Sequence, residues 1–325
     1  MEPVTIDIAP GLTAIDTFYG GRERYTAAYL LRADEPAIVE TGPTTSAGHV
    51  LGGLDRLGIG PDDLAHIVVT HIHLDHAGGV GRLAAAFPRA TVWVHERGAP
   101  HLADPGRLVA SATRIYGEEQ MVSLFGPVDP VAPERLRRLT DGDRIDLGNR
   151  SLDVLATPGH ASHQVGLVDS LTGGVFTGDA LGIHLPDLRV LRPATPPPDF
   201  DVELAADSIE RIRSRARGAM VLFSHFGPVD DVDHICDLAI RRTRAWADAV
   251  RVAMRTTEDL DEIVEVLERE ADRDQETGAE AVLDLDRFEI LSSVRMNAMG
   301  LIRYWKKRAE REAEADAGRG GPQPS

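Results

Sequence analysis

The chain of 325 residues contains a single cysteine, Cys236. One thiol excludes any intrachain disulfide and any thiolate cluster. Cys236 stands beside Ile235 and Leu238 in a helical pattern and reads as a small core residue. Lysine is nearly as scarce: of 35 basic residues only Lys306 and Lys307 are lysines. An arginine bias on an acidic surface suits a high-salt cytoplasm, and high-GC coding produces it equally well. No apolar run reaches membrane-spanning length. The first residues, Met1-Glu2-Pro3-Val4-Thr5, show neither a basic n-region nor an apolar h-region, so a cytoplasmic enzyme is the expectation. Positive charge is also in deficit. A net charge of −17 repels phosphates, which argues against nucleic acid and anionic membranes as partners. A small-molecule substrate is expected instead, and a homodimer is left open. What remains is ordinary for a globular protein, with 42% hydrophobic and 27% charged residues.

Against this background one stretch stands out: Thr70-His71-Ile72-His73-Leu74-Asp75-His76-Ala77-Gly78-Gly79. The β-branched run His66-Ile67-Val68-Val69 before it reads as a buried strand. Gly78-Gly79 permits a sharp turn, and Val80 to Phe87 reads as a helix stopped before Pro88. Three histidines and an aspartate therefore gather on the loop leaving a strand end. His71 and His73 are two apart, so in an extended segment their rings point the same way. Asp75 and His76 follow where the chain turns and face a second point. Neutral imidazoles with a carboxylate are a ligand set for zinc, iron or manganese. Chance would be the better account of one histidine, but not of this spacing behind a buried strand.

Val4 to Ile8, Leu12 to Phe18, Tyr25 to Arg32 and Pro36 to Glu40 read as strands, and Ser46 to Leu57 as a helix. Further strands are expected at 91–95, 151–156, 166–169, 174–179 and 220–228. A meander followed by alternating strands and helices suggests a mixed-sheet α/β protein with layered sheets. Glu96 to Phe125 reads as mostly helical, and residues 96–133 form a lid-like insertion beyond a strand end. Phe200 to Arg217 and nearly everything after His234 are helical, one helix being opened by Thr256 or Thr257 as N-cap. The expected organisation is a catalytic domain at 1–233, a helical domain at 234–309 and a disordered tail at 310–325.

The His-x-His-x-Asp-His stretch resembles the signature of the metallo-β-lactamase-fold hydrolase superfamily, which includes glyoxalase II and lactonase branches. The resemblance implies an αββα sandwich of two mixed sheets with outer helices. It also implies further ligands at strand ends: His160 in Thr157-Pro158-Gly159-His160-Ala161-Ser162-His163, Asp179 after Gly178, and His225 after Ser224. In that family pattern His71, His73 and His160 hold one metal, Asp75, His76 and His225 the other, and Asp179 bridges. Glu40, in Glu40-Thr41-Gly42-Pro43, stands where the family usually has Asp-x-Gly. Two readings are open: it orients a ligand histidine from behind, or it is a solvated carboxylate. His163 is likewise a support or substrate contact, or a surface residue, while His95 and His101 read as structural. With Ala194-Thr195-Pro196-Pro197-Pro198-Asp199, these segments are similar to a subgroup of stand-alone hydrolases.

The implied cofactors are two divalent ions, zinc foremost, with iron or manganese as alternatives. Two ions about 3.5–4 Å apart can share a water and lower its pKa toward about 7, giving a bridging hydroxide. Asp75 is the candidate to orient that water or shuttle its proton. A small carboxylic ester, thioester or lactone is the expected substrate, and β-lactams are disfavoured. His184, Arg189 and Arg192 lie just beyond Asp179 as candidate substrate contacts, with salt bridges as the other reading for the arginines. The alternatives are an oxidoreductase resembling mononuclear-iron persulfide dioxygenases, and a phosphodiesterase. A flavodiiron protein is disfavoured, because His73 stands where that group has glutamate.

Overall fold

The computed structural model describes residues 2–185, 190–273 and 286–319. Seven strands follow one another across the first sheet: β1 (Thr5–Ala9), β2 (Leu12–Asp16), β3 (Ala27–Leu31), β4 (Ala37–Val39), β5 (His66–Val68), β6 (Thr91–His95) and β7 (Leu136–Leu139). The first four are an antiparallel meander, and β4 to β7 pair in parallel. Parallel pairing needs crossovers, supplied by α1 (Ala47–Arg56), then α2 (Leu74–Ala77) with α3 (Val80–Ala86), then the insertion with α4 (Ala99–Ala103) and α5 (Gly106–Gln120). The second half contributes β8 (Arg144–Asp146), β9 (Ser151–Ala156), β10 (Val165–Asp169), β11 (Val175–Gly178), a ribbon of β12 (Ile183–Leu185) and β13 (Val190–Arg192), then β14 (Val221–Phe223) and β15 (Gly227–Val229). The second sheet runs β15-β14-β11-β10-β9-β8. Five helices complete the described chain: α6 (Val202–Arg215), α7 (Val232–Ala253), α8 (Leu260–Arg273), α9 (Asp286–Leu291) and α10 (Val294–Arg319).

The layers arise from the period of two along each strand. In β3, Tyr29 and Leu31 join Leu152, Val154, Val165 and Leu167 between the sheets. Ala28 and Leu30 point the other way, onto Val50, Leu54 and Leu83 of α1 and α3. On the second sheet Val168, Val175 and Phe223 face Ile209 and Ile212 of α6 and Ile235, Cys236 and Ala239 of α7. Each such buried aliphatic side chain contributes about 1.5–3 kcal/mol. The result is the four-layer αββα arrangement. A buried ion pair also ties the sheets: Arg150 grips both carboxylate oxygens of Asp169 at 2.6 and 2.7 Å and donates to the Gly11 carbonyl at 2.6 Å.

The C-terminal helices differ from expectation in three details. Helix α7 begins at Val232, so the boundary placed between 233 and 234 falls inside a helix that packs on the second sheet. Asp259, and not Thr256 or Thr257, opens α8, its carboxylate accepting from the Asp261 and Glu262 amides at 2.8 and 3.2 Å. Helix α10 continues to Arg319, so residues 310–319 are helical where a tail was expected; residues 320–325 lie outside the described residues, as does Arg189. Among the described residues no helix is long and apolar enough to cross a membrane.

Helix α10 meets the loop 193–198 closely. Asn297 Oδ1 accepts from the amide and hydroxyl of Thr195 at 2.6 and 2.7 Å. Three residues on, a Cβ on Gly300 would stand 1.8 Å from the Thr195 carbonyl oxygen. Backbone cannot swing aside as a side chain can, so Gly300→Ala should lower stability by about 1–3 kcal/mol. Thermal melts of the two proteins check this, and an unchanged melting temperature would show that the helix is not seated on this loop.

Candidate metal centre

Each residue expected at the centre sits where a strand ends. Glu40 follows β4, the His71 to His76 stretch follows β5, and His160 lies beyond β9. Asp179 follows β11, and His225 follows β14. His73 is the N-cap position of the single turn α2, with extended backbone, which turns Asp75 and His76 away from His71 and His73. Gly159 has a φ of +131°, and a Cβ there would come within 2.4 Å of the Ala205 backbone. Only glycine lets the chain bend against α6 and bring the His160 ring back.

All seven residues converge. His73 Nδ1 lies 3.1 Å from His71 Nε2 and 2.9 Å from His160 Nε2. His76 Nε2 lies 3.3 Å from His225 Nε2 and 3.5 Å from Asp75 Oδ2. Asp179 spans the two groups: Oδ1 is 3.3 Å from His76 Nε2 and 3.5 Å from His225 Nε2, while Oδ2 is 3.6 Å from His160 Nε2. Nitrogens bound at about 2.0–2.1 Å around one tetrahedral ion stand roughly 3.3 Å apart, so this spacing fits. Asp179 Oδ1 is buried with no hydrogen-bond partner, an arrangement that a cation satisfies and an apolar core does not. The residues form two donor groups, His71–His73–His160 and Asp75–His76–His225, each with atoms within 4.8 Å of one another.

The electrostatics agree with this use. Burial holds the His71 and His73 imidazoles well below their ordinary pKa, and burial lowers that of His160 too. All three are neutral donors. Burial opposes charge on Asp75, yet His76 and His225 outweigh it and pull the carboxyl down to about 2. Asp179 is held well below the carboxylate range, His76 and His225 outweighing its own burial. His76 is pushed up by Asp179 and Asp75 against its burial, the proton standing where a metal ion would.

The rings are fixed from behind. His160 Nδ1 donates to the Ala194 carbonyl at 2.9 Å, and His225 Nδ1 to the Tyr25 carbonyl at 2.9 Å. His71 Nδ1 donates to Thr70 Oγ1 at 3.0 Å, and that hydroxyl donates onward to Glu40 Oε1. Ser224 Oγ donates to the same oxygen at 3.0 Å, and His76 Nδ1 lies 3.5 Å from it. Glu40 is 2% exposed, which excludes the solvated reading. A further grouping of Glu40, His71 and His76 reuses these rings, with Glu40 on the Nδ1 side of His76 and linked through Thr70 to Nδ1 of His71, so it describes support behind the two donor groups.

A metallo-beta-lactamase superfamily model matches residues 21–225. The chain belongs to this superfamily. It is 29% identical over 173 residues to a metallo-beta-lactamase fold-containing protein of Sulfurisphaera tokodaii, covering 52% of this chain and 62% of that one. It is 26% identical over 251 residues to a hydroxyacylglutathione hydrolase of Xanthomonas campestris pv. campestris, covering 76% and 78%. The chain thus spans less than two thirds of the length of the first curated relatives it matches. The crystal structure of an archaeal superfamily protein from Sulfolobus tokodaii superposes with a TM-score of 0.65 at 21% identity, covering 90% of this chain and 98% of that one, and shares the fold.

The other candidates separate. His163 lines the cavity beside the centre, its ring stacked on His71 with centroids 6.2 Å apart, and burial lowers its pKa to about 4. His101, read as structural, lines the mouth of the same cavity, whereas His95 Nδ1 accepts the Arg97 amide at 3.1 Å. His184 and Arg192 do not line it. The His184 amide donates to the His225 carbonyl at 3.1 Å and its ring packs on Phe223. The Arg192 guanidinium donates to Glu289 at 3.0 Å and the Ser292 carbonyl at 3.2 Å, and covers the Phe288 ring at 4.4 Å. Arg192 therefore clamps α9, and the substrate-contact expectation for both residues gives way to support. Sequence reasoning missed Thr70 and Ser224, although each directly precedes a ligand candidate. It also missed Gln164, whose Oε1 accepts the Asp179 amide at 3.2 Å.

Because one Glu40 oxygen holds Thr70 and Ser224 together, Glu40→Gln should loosen His71 and weaken metal affinity by roughly 10–100-fold. Competition against a chelator measures it; an unmoved curve would assign Glu40 no part in holding metal.

Proposed function

We propose that the protein is a dinuclear metal-dependent hydrolase acting on a small carboxylic ester, thioester or lactone. The observation that carries the reading is Asp179, whose two oxygens face two separate donor groups. His71, His73, His160 and Asp179 would hold one ion, and Asp75, His76, His225 and Asp179 the second. Bound there, two divalent ions supply Lewis acidity and an acidified water. The residues of the chain do the rest. His71, His73 and His160, kept neutral by burial, leave their lone pairs free for one ion. Asp75 lines the cavity and, with a pKa of about 2, is ionised at neutral pH, so it orients a water by accepting its hydrogen. Water oxygen bonds to the acyl carbon, the bond from that carbon to the leaving oxygen or sulfur breaks, and the leaving group takes the proton.

The likeness to a hydroxyacylglutathione hydrolase, which spans 76% of this chain, supports an acyl substrate. Zinc is the ion we favour, since every donor is nitrogen or carboxylate and the centre makes no call on redox chemistry.

Asp179→Ala should reduce bound metal at both positions, whereas His225→Ala should mainly empty one; elemental analysis of the purified proteins decides it. Unchanged metal content in Asp179→Ala sinks the bridging role. The wild-type protein is expected to carry two ions and to cleave a model thioester or lactone without oxygen. One iron per chain, oxygen uptake with a persulfide and no anaerobic hydrolysis would overturn the hydrolase reading.

A further inference from the structure

The donors occupy one end of a cavity of about 350 Å³, inside the range that holds small organic ligands. Away from His73, Asp75, His160, His163 and Asp179 much of its inner wall is apolar, with Ser111 and Ser162 as polar exceptions. Leu108 and Ala112 of α5 face Leu291 and Met296 across it, with Leu74 and Phe125 between them. Tyr116 Oη donates weakly to Met296 Sδ at 3.5 Å, so the insertion and α10 meet there. At the mouth the chemistry reverses. Arg97, just after β6, and Arg107, in the first turn of α5, both line the cavity, and both are exposed.

What marks this pair is its place: they are the two arginines lining the cavity beside the centre, and neither is committed to a protein partner. Among the described residues neither guanidinium makes a hydrogen bond, ion pair or ring contact. Other surface arginines either pair with carboxylates, as Arg82–Asp129, Arg144–Asp153 and Arg211–Asp141 do, or, like exposed Arg114, Arg138 and Arg217, stand away from the cavity. With 52 acidic residues against 35 basic ones, partners are abundant. The acidic residue at the mouth, Asp199, is engaged by the Ser162 hydroxyl at 2.5 Å. Two uncommitted forks of N–H donors at the mouth of an apolar cavity suit an anionic group, because a guanidinium presents paired donors to a carboxylate.

We propose that Arg97 and Arg107 form an anion-binding rim and that the substrate is amphipathic. Its apolar part lies along the wall between α5 and α10, and the part reaching the mouth carries a negative charge. This deepens, and rests on, the hydrolase reading above. It also places the positive charge where it steers such a molecule toward a protein of net negative charge.

The test uses the metal-loaded full chain and two hexanoyl thioesters, of N-acetylcysteine and of N-acetylcysteinamide, which differ only in a carboxylate. The carboxylate form should be preferred by about tenfold in kcat/KM, mainly through KM. Raising salt from about 0.1 M to 1 M should shrink the ratio, as the screening length falls from about 10 to 3 Å. In the Arg97→Ala/Arg107→Ala double variant the ratio should fall to about one, and in Arg97→Lys/Arg107→Lys it should persist. A wild-type ratio of one, or a ratio untouched in the alanine variant, overturns the rim. If neither thioester is cleaved, the thioester form of the hydrolase reading fails. The same pair then serves in calorimetric titrations, where tighter binding of the carboxylate form, lost in the alanine variant, upholds the rim and equal binding overturns it.

Discussion

The constraint on which this structure depends is that a buried imidazole has two nitrogens and both must be satisfied. If the inner one is to offer a lone pair, the outer one needs an acceptor held by something rigid. Two outer nitrogens are met by backbone carbonyls, Ala194 for His160 and Tyr25 for His225, and that of His71 is met by the Thr70 hydroxyl. Carbonyls at those places exist only because the strands and loops that carry them are packed. The fold is therefore a device for presenting acceptors behind rings as much as for presenting the rings.

Glu40 shows how far that support extends. It has left-handed backbone, with φ of +68°, a conformation that a non-glycine side chain adopts against steric resistance. The turn aims its carboxylate inward, where one oxygen takes hydroxyls from Thr70, after β5, and Ser224, after β14. Those two strands belong to different sheets. A single buried acceptor thus pins strand ends of both sheets at the level of the centre.

Much of this was legible in the sequence because it is local. The His-x-His-x-Asp-His spacing, the glycine before Asp179 and the bend at Pro158-Gly159 each describe a strand end and the residues just beyond it. The alternation of β3 and the apolar faces of α6 and α7 predict layers for the same reason. Contacts that cross long sequence distances were not legible. Ser224 reaches Glu40 across 184 positions, and Asn297 reaches Thr195 across 102; neither residue sits in a pattern that announces a partner. Arg192 misled for a related reason. Nearness in sequence to Asp179 suggested the cavity, but β13 carries its guanidinium onto α9, which no local signal could reveal.

Those distant contacts give the C-terminal helices a role that their sequence, without a single ligand candidate, does not suggest. Asn297 on α10 holds Thr195, the neighbouring Ala194 carbonyl holds His160, and His160 faces His73. The same helix offers Met296 to the cavity wall, opposite the insertion. One element therefore sets both the angle of a ligand ring and the width of the space in front of it. Displacing α10 would loosen the centre and open the cavity together, so support for the donors and shape of the binding space cannot vary independently in this chain. That coupling is geometric, because loop 193–198 lies between the helix and the His160 ring and transmits any shift of one to the other.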